Sequence, residues 1–402
     1  MKSNNKVKRK HMKSNINIVL AIGIILSIIV SKQVQDTLLN KLSVVSAIGI
    51  DKSKLGYIAS LQIYNPASNS KEGASETGAY TYSAKGRTIP EAMERIENKL
   101  ARPIFLDNTE VAVIGEELAK SEGISSISDY FMRESNLPAN IRFVISKGVS
   151  ANKLLQIFTP VQKISGSRLE EMLIRKRLSW GKLSDVTSNH IREKAVQNRT
   201  ELTIPYIRMN GSFSKGTSKQ NIEKATPETI LSIDGLAVFQ DQKLSYFLSS
   251  DESNLYALIH AKIKKTSIIT KCQRQKGYVT WKEVRSKPVI RIKDKKGIPT
   301  FSLMLQLTGK LSDVSCKIDT SNTKNIASLQ HEAEHDLQQQ INQLIAKTQN
   351  KKTDINGFGE VMYRKQPNRW NRSKKDWNSI YSTVKVQTDV RVKVLDVGDI
   401  SS

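Results

Sequence analysis

TVKVQTDVRVKV, from Thr383 to Val394, sets Val384, Val386, Val390, Val392 and Val394 against Lys385, Gln387, Asp389, Arg391 and Lys393. A period of two sends alternate side chains to opposite faces, so this reads as a strand with one buried and one solvated face. Upstream, Asn325 to Lys347 carries Ile326, Leu329, Ala333, Leu337, Ile341, Leu344 and Ile345 on one stripe, the longest helix candidate in the chain. Ser267 to Cys272, Tyr278 to Arg285 and Thr300 to Leu311 have strand-like content. Ser249 and Glu252 form a capping box that opens a helix to about Lys264, after a hairpin of Gly235 to Phe239 and Lys243 to Leu248.

The N-terminal half repeats the mixture. Val44 to Ile50 (VVSAIGI) and Tyr57 to Ile63 (YIASLQI) form a hairpin about Asp51 to Lys54, and Ala67 to Gly78 reads as an exposed loop. Thr88 and Glu91 cap a helix to about Leu100; Glu110 to Ile114 and Arg142 to Ser146 are strands. Glu116 to Lys120, Ile127 to Arg133, Ser150 to Phe158 and Leu183 to Ala195 are helical. The fold class is α+β, mixed α/β: a membrane helix, then two or three α/β domains of mixed sheets and packed helices. The expected division is a tail and anchor over 1–32, an α/β region over 42–210, a linker over 211–228 and a C-terminal α/β domain over 229–398. The linker assignment rests on breakers and the lack of any hydrophobic period in NGSFSKGTSKQNIEKATPE.

The composition narrows the function. The 402 residues hold 63 Lys and Arg against 38 Asp and Glu, a formal charge of +25 that calls for an anionic neighbour. Two cysteines exclude a disulfide scaffold and a multi-cysteine zinc protein, and one apolar run excludes a polytopic membrane protein. That run, Ile16 to Val30, follows six basic residues without an acid. An uncleaved signal-anchor is the favoured reading, with a cleaved signal and a buried core helix as alternatives. The basic flank stays cytoplasmic, so the chain beyond Lys32 crosses the membrane. There Cys272 and Cys316 are free to pair or to remain buried thiols.

His331-Glu332-Ala333-Glu334-His335 matches H-E-x-x-H, which would make His331, Glu332 and His335 a zinc hydrolase site with Glu360 as a further ligand. The stripe through Leu329 and Ala333 turns both histidines toward solvent, so a solvated helix face is the preferred reading. No catalytic residue, metal or cofactor is assigned. Arg364, Lys365, Arg369, Arg372, Lys374 and Lys375, interleaved with Trp370 and Trp377, form the densest basic stretch, a candidate contact for a partner or for anionic headgroups. Dispersed charge and 6% aromatics argue against nucleic acid, although binding to another anionic polymer stays open.

Several segments, read in order, resemble the spore germination receptor C-subunit family, Ger(x)C. They are VVSAIGID (Val44 to Asp51), LARPIF (Leu100 to Phe105), EVAVIGEELAK (Glu110 to Lys120), DYFMRE (Asp129 to Glu134) and FVISKG (Phe143 to Gly148). DGLAVFQDQKLSYFL (Asp234 to Leu248), DINGFGE (Asp354 to Glu360) and the tail from Trp370 to Val394 follow. The resemblance implies a non-enzymatic subunit of a nutrient germinant receptor, working with A and B subunits on the outer face of the spore inner membrane. The family's signal usually ends in a lipobox cysteine; here Gln33 occupies that position, so the apolar helix is the substitute for a lipid.

Overall fold

The computed structural model describes residues 41–65, 78–160, 164–260, 266–273, 275–293 and 297–396, together with 22–24 and 27. The expected loop over 67–78 lies almost entirely outside them, as does the expected membrane helix over 16–30. Among the described residues no helix is long and apolar enough to cross a membrane.

The first sheet collects β1 (Ser43–Ser53), β2 (Gly56–Tyr64), β3 (Ala79–Gly86), β4 (Ile104–Phe105), β5 (Val111–Gly115), β6 (Arg142–Lys147), β7 (Thr203–Asn210), β8 (Ile230–Gln240) and β9 (Lys243–Leu248). Its order is β3-β2-β1-β5-β6-β7-β8-β9, with β4 paired beside the start of β1. β1, β5, β6 and β7 run parallel in the middle, and antiparallel hairpins flank them. The middle strands read as unbroken apolar runs because both of their faces are buried. Val111 and Val113 point into one core, and Ala112 and Ile114 into another.

One face is covered by α1 (Ile89–Glu97), α2 (Glu116–Ser121), α3 (Ser125–Arg133) and α6 (Ser188–Gln197), through Ile96, Leu118, Ile127 and Ile191. Thr88 caps α1 as expected, its hydroxyl accepting from Glu91 N–H at 3.2 Å. The opposite face is covered by α4 (Ala151–Leu155), α5 (Ser165–Trp180) and α9 (Ser250–His260), through Leu154, Leu169, Trp180 and Leu258. The box at α9 closes reciprocally: Ser249 Oγ accepts from Glu252 N–H at 3.2 Å and Glu252 from Ser249 N–H at 2.8 Å.

The second sheet has the order β10-β11-β12-β13, formed by Thr266–Lys271, Tyr278–Ile292, Thr300–Val314 and Lys385–Asp396. β13 is the valine strand, parallel to β12, with Val390 and Val392 buried and Lys385, Arg391 and Lys393 exposed. The long helix α10 (Thr323–Asn350) lies on this sheet, and its Leu337 and Ile341 join the core that contains Val111 and Leu169. The two sheets therefore share one apolar interior.

The segment over 211–228 carries two short helices, α7 (Phe213–Gly216) and α8 (Gln220–Glu223). It folds by amide chemistry, which leaves no hydrophobic period. Asn221 is 2% exposed; its Nδ2 donates to Phe158 O and Thr229 O, and its Oδ1 accepts from Thr229 N–H. β8 and β9, which follow, extend the first sheet through β7.

Candidate functional site

Beyond α10 the chain turns through Asp354-Ile-Asn-Gly-Phe-Gly359 into α11 (Phe358–Lys365), α12 (Pro367–Ser373) and α13 (Trp377–Tyr381). Asp354 organises this turn. Its Oδ1 accepts from Gly357 N–H at 2.9 Å and Phe358 N–H at 3.2 Å, and its Oδ2 from Gly359 N–H at 2.6 Å and the Trp377 indole at 2.9 Å. These donors include the otherwise unpaired amides at the start of α11. Gly357 has φ of 84°, where a side chain is strained. At Gly359 a Cβ would stand 2.5 Å from Arg199 O and 2.7 Å from Trp377 Nε1. The Gly-x-Gly spacing thus follows from a turn and a close approach. Phe301, Phe358, Met362, Trp370, Trp377, Tyr381 and Val384 pack as the apolar cluster behind it.

The turn is also a seam between the halves of the chain. Asp354 O accepts from Glu201 N–H at 3.0 Å, and Asn378 Nδ2 donates to Glu201 Oε1 at 3.0 Å. Arg199 pairs with Glu360 at 3.3 Å and lies over the Tyr363 ring, 3.3 Å from its centroid. Burial pushes the Asp354 carboxyl up, against the four donors that favour its charged form. Burial, with Asp241 and Asp354 nearby, pushes Glu201 up to about 7. Burial lowers Lys194, which lies near Asp354 and Glu360. A cavity of about 60 Å³ lies here, lined by Glu201, Asp241, Asp354, Lys374, Lys375 and Trp377 among others. It is of the size that holds water and not a nutrient.

Lys365, Arg372, Lys374 and Lys375 are exposed on the outside of this helical region, while Trp370 and Trp377 are buried beneath them. Arg364 pairs with Glu360 at 3.2 Å, and Arg369 donates to Gln366 Oε1 and Gly297 O. The basic stretch is thus a surface of four outward cations and two engaged arginines.

The H-E-x-x-H residues have a different occupation. Glu332 accepts from Gln273 N–H at 2.9 Å, and Asp336 from Lys271 N–H at 3.0 Å, at the β10 edge of the second sheet. On the other flank of α10, Gln330 donates to Val392 O at 2.9 Å and Glu334 accepts from Val392 N–H at 3.0 Å, at the β13 edge. The helix ties down both sheet edges with polar residues two positions apart, while Leu329, Ala333 and Leu337 sit buried between them. His331 is 77% exposed and pairs with Glu334 at 3.1 Å; His335 bonds Gln273 Nε2. Glu360 belongs to the Arg199 and Arg364 pairs. Among the described residues no three His, Cys, Asp or Glu side chains are grouped to hold a metal. Cys272 and Cys316 are joined by a disulfide, Cα atoms 6.6 Å apart, which ties the end of β10 to the end of β12.

Sequence reading found DINGFGE as a family segment without finding what Asp354 does. An acid three to five residues before the glycines that open a helix is the local signal for it. Glu201, Lys194 and His260 carry none, because they reach the seam from separate segments.

The comparisons fit this architecture. Residues 35–209 match the spore germination protein N-terminal domain, and 234–398 the spore germination B3/GerAC-like C-terminal domain. Spore germination protein KC of Bacillus subtilis (strain 168) is 29% identical over 386 residues, covering 92% of this chain and 95% of its own. Spore germination protein B3 of the same organism is 22% identical over 368 residues, covering 90% and 93%. The crystal structure of the GerBC protein shares the fold, with a TM-score of 0.55 at 19% identity, over 87% of this chain and 96% of that one. Together the paired domains, in order and along nearly the whole described chain, place it among the germinant receptor C subunits: the chain belongs to the Ger(x)C family.

Proposed function

We propose that the protein is the extracytoplasmic, membrane-tethered C-type subunit of a nutrient germinant receptor at the spore inner membrane, acting by docking to A and B subunits and not by catalysis. The observation that carries this reading is the consecutive match to both family domains over residues 35–209 and 234–398. The apolar run after a basic tail supports the tether, and the Cys272–Cys316 bridge suits an oxidising compartment outside the cytoplasm. The exposed cations Lys365, Arg372, Lys374 and Lys375 supply a surface for an anionic partner face.

Deletion of the gene in its sporulating host tests the reading. Spores lacking the protein are expected to lose the response to one nutrient or nutrient mixture while keeping the others. A normal response to every nutrient, in a background without sister receptors, overturns it. Intact mass of the membrane-extracted protein tests the anchor: a mature N-terminus near Ser31 would show that the helix is cleaved.

A further inference from the structure

α5 lies on one face of the first sheet, near one end of its short middle strands. Its start sits on β1 and β2: a Cβ on Gly166 would stand 2.7 Å from Ala47 Cβ of β1, and Gly166 N–H donates to Gln62 Oε1 of β2 at 2.7 Å. One residue on, Ser167 hydrogen-bonds Glu110, which precedes β5. One turn further, Glu170 pairs with Arg142 at the first residue of β6. The helix therefore passes over β1 at Ala47, inside that strand, and then over the N-terminal ends of β5 and β6. The same end receives the chain at Ser43, where β1 begins after the basic and apolar leader.

The outward face of this helix is unusual. Its inner stripe includes Ser165 and Gly166, yet Ile174 is 48% and Leu178 55% exposed, one turn apart on the far side. Arg175 shares this outer face with Glu171, while Arg168 is half-buried on its flank and donates to Pro160 O at 3.0 Å. Arg177, also exposed, pairs with Asp185 at 3.7 Å.

From this placement we infer that the outer face of α5 rests on the anionic surface of the membrane, with Ile174 and Leu178 entering the headgroup layer and Arg175 facing the lipid phosphates. The inference rests on the tethered reading given above. A helix crosswise to the strands, at the end where the chain enters, lies along a bilayer beneath that end. Exposed apolar side chains beside an outward arginine match the chemistry of that layer.

The test uses the full-length protein in vesicles of phosphatidylglycerol and phosphatidylcholine carrying brominated acyl chains. The four native tryptophans are buried, at 0 to 4% exposed, and set the baseline. Leu178→Trp adds a reporter on the outer face. Leu55→Trp adds one at the β1–β2 turn, where Leu55 is 84% exposed at the far end of β1. The added emission of Leu178→Trp is expected to fall roughly twofold in brominated vesicles, while that of Leu55→Trp stays unchanged. If the protein floats with the vesicles and Leu178→Trp is unquenched, the inference is overturned and the tether stands. Burial of Leu178→Trp only on addition of the A and B subunits overturns it in favour of a protein partner. If the protein fails to float at all, the tethered reading falls and this inference with it.

Discussion

The two sheets are stabilised by different means. In the first, β1, β5 and β6 have apolar cover on both faces, and their sequences are nearly continuous hydrophobic runs. In the second, strands alternate between buried and exposed residues, and α10 covers one face. What that sheet lacks in two-sided burial it gains in ties: four polar side chains of α10 engage its two edges, and a disulfide joins β10 to β12. Asp354, itself 1% exposed, joins the two regions at a polar seam. Burial alone can hold a sheet with two apolar faces; a sheet with one needs bonds placed at its edges.

The largest expected effect is at the seam. Asp354→Ala strips acceptors from three backbone amides and the Trp377 indole, and is expected to cost about 3–5 kcal/mol. Denaturant unfolding followed by tryptophan fluorescence measures this. Asp354→Asn, which keeps the size and one acceptor, should lose less. Equal losses would show that the packing and not the carboxylate closes the seam.

Next is the disulfide. Cys272→Ser with Cys316→Ser is expected to cost about 2–4 kcal/mol. Amide exchange should rise in β10 and β12 and stay unchanged in β1 and β5. A uniform rise would break the comparison, because it would make the two sheets one cooperative unit.

Glu201 supplies a pH dependence of similar or smaller size. Its folded value of about 7 lies above its ordinary value of 4.5, so the folded state holds the extra proton between these limits. Its contribution to stability therefore declines as pH rises through that window. Glu201→Gln should stabilise the protein above pH 7 by about 2–3 kcal/mol. Thermal unfolding of both forms across pH 5 to 8 checks the sign.

The smallest effects separate the edge tie from a metal site. Glu332→Ala should cost about 1–2 kcal/mol by leaving Gln273 N–H without its acceptor. His331→Ala should stay within about 0.5 kcal/mol, and added zinc should leave the melting temperature unchanged. A zinc-dependent rise that His331→Ala or His335→Ala abolishes would revive the hydrolase reading.

Legibility followed the same division. Thr88 with Glu91, Ser249 with Glu252 and the valines of β13 announced their elements, because capping and alternation are local and leave a spacing in the sequence. β11 and β12 run on to Ile292 and Val314, beyond the expected limits, since a half-buried strand fades gradually into polar residues. The helix α5 gave no amphipathic signal: small Ser165 and Gly166 face in while Ile174 and Leu178 face out, so the hydrophobic period is scrambled. The folding of residues 211–228 was hidden for a related reason, since Asn221 secures them through hydrogen bonds. At the seam only Asp354 had a nearby cue. Glu201 and His260 reach the turn at Asp354 and Ile355 through topology, which no spacing records.

The position of β1 bears on how the molecule withstands pulling. Eight residues of β1 pair with β2 and four with β5, so its middle is bonded on both sides. A force applied at Ser43 and directed along the strand loads these bonds together, in shear, and cannot peel them one at a time as at a hairpin end. On the tethered reading, a chain tugged from its N-terminus is held at a strand whose middle is bonded on both sides.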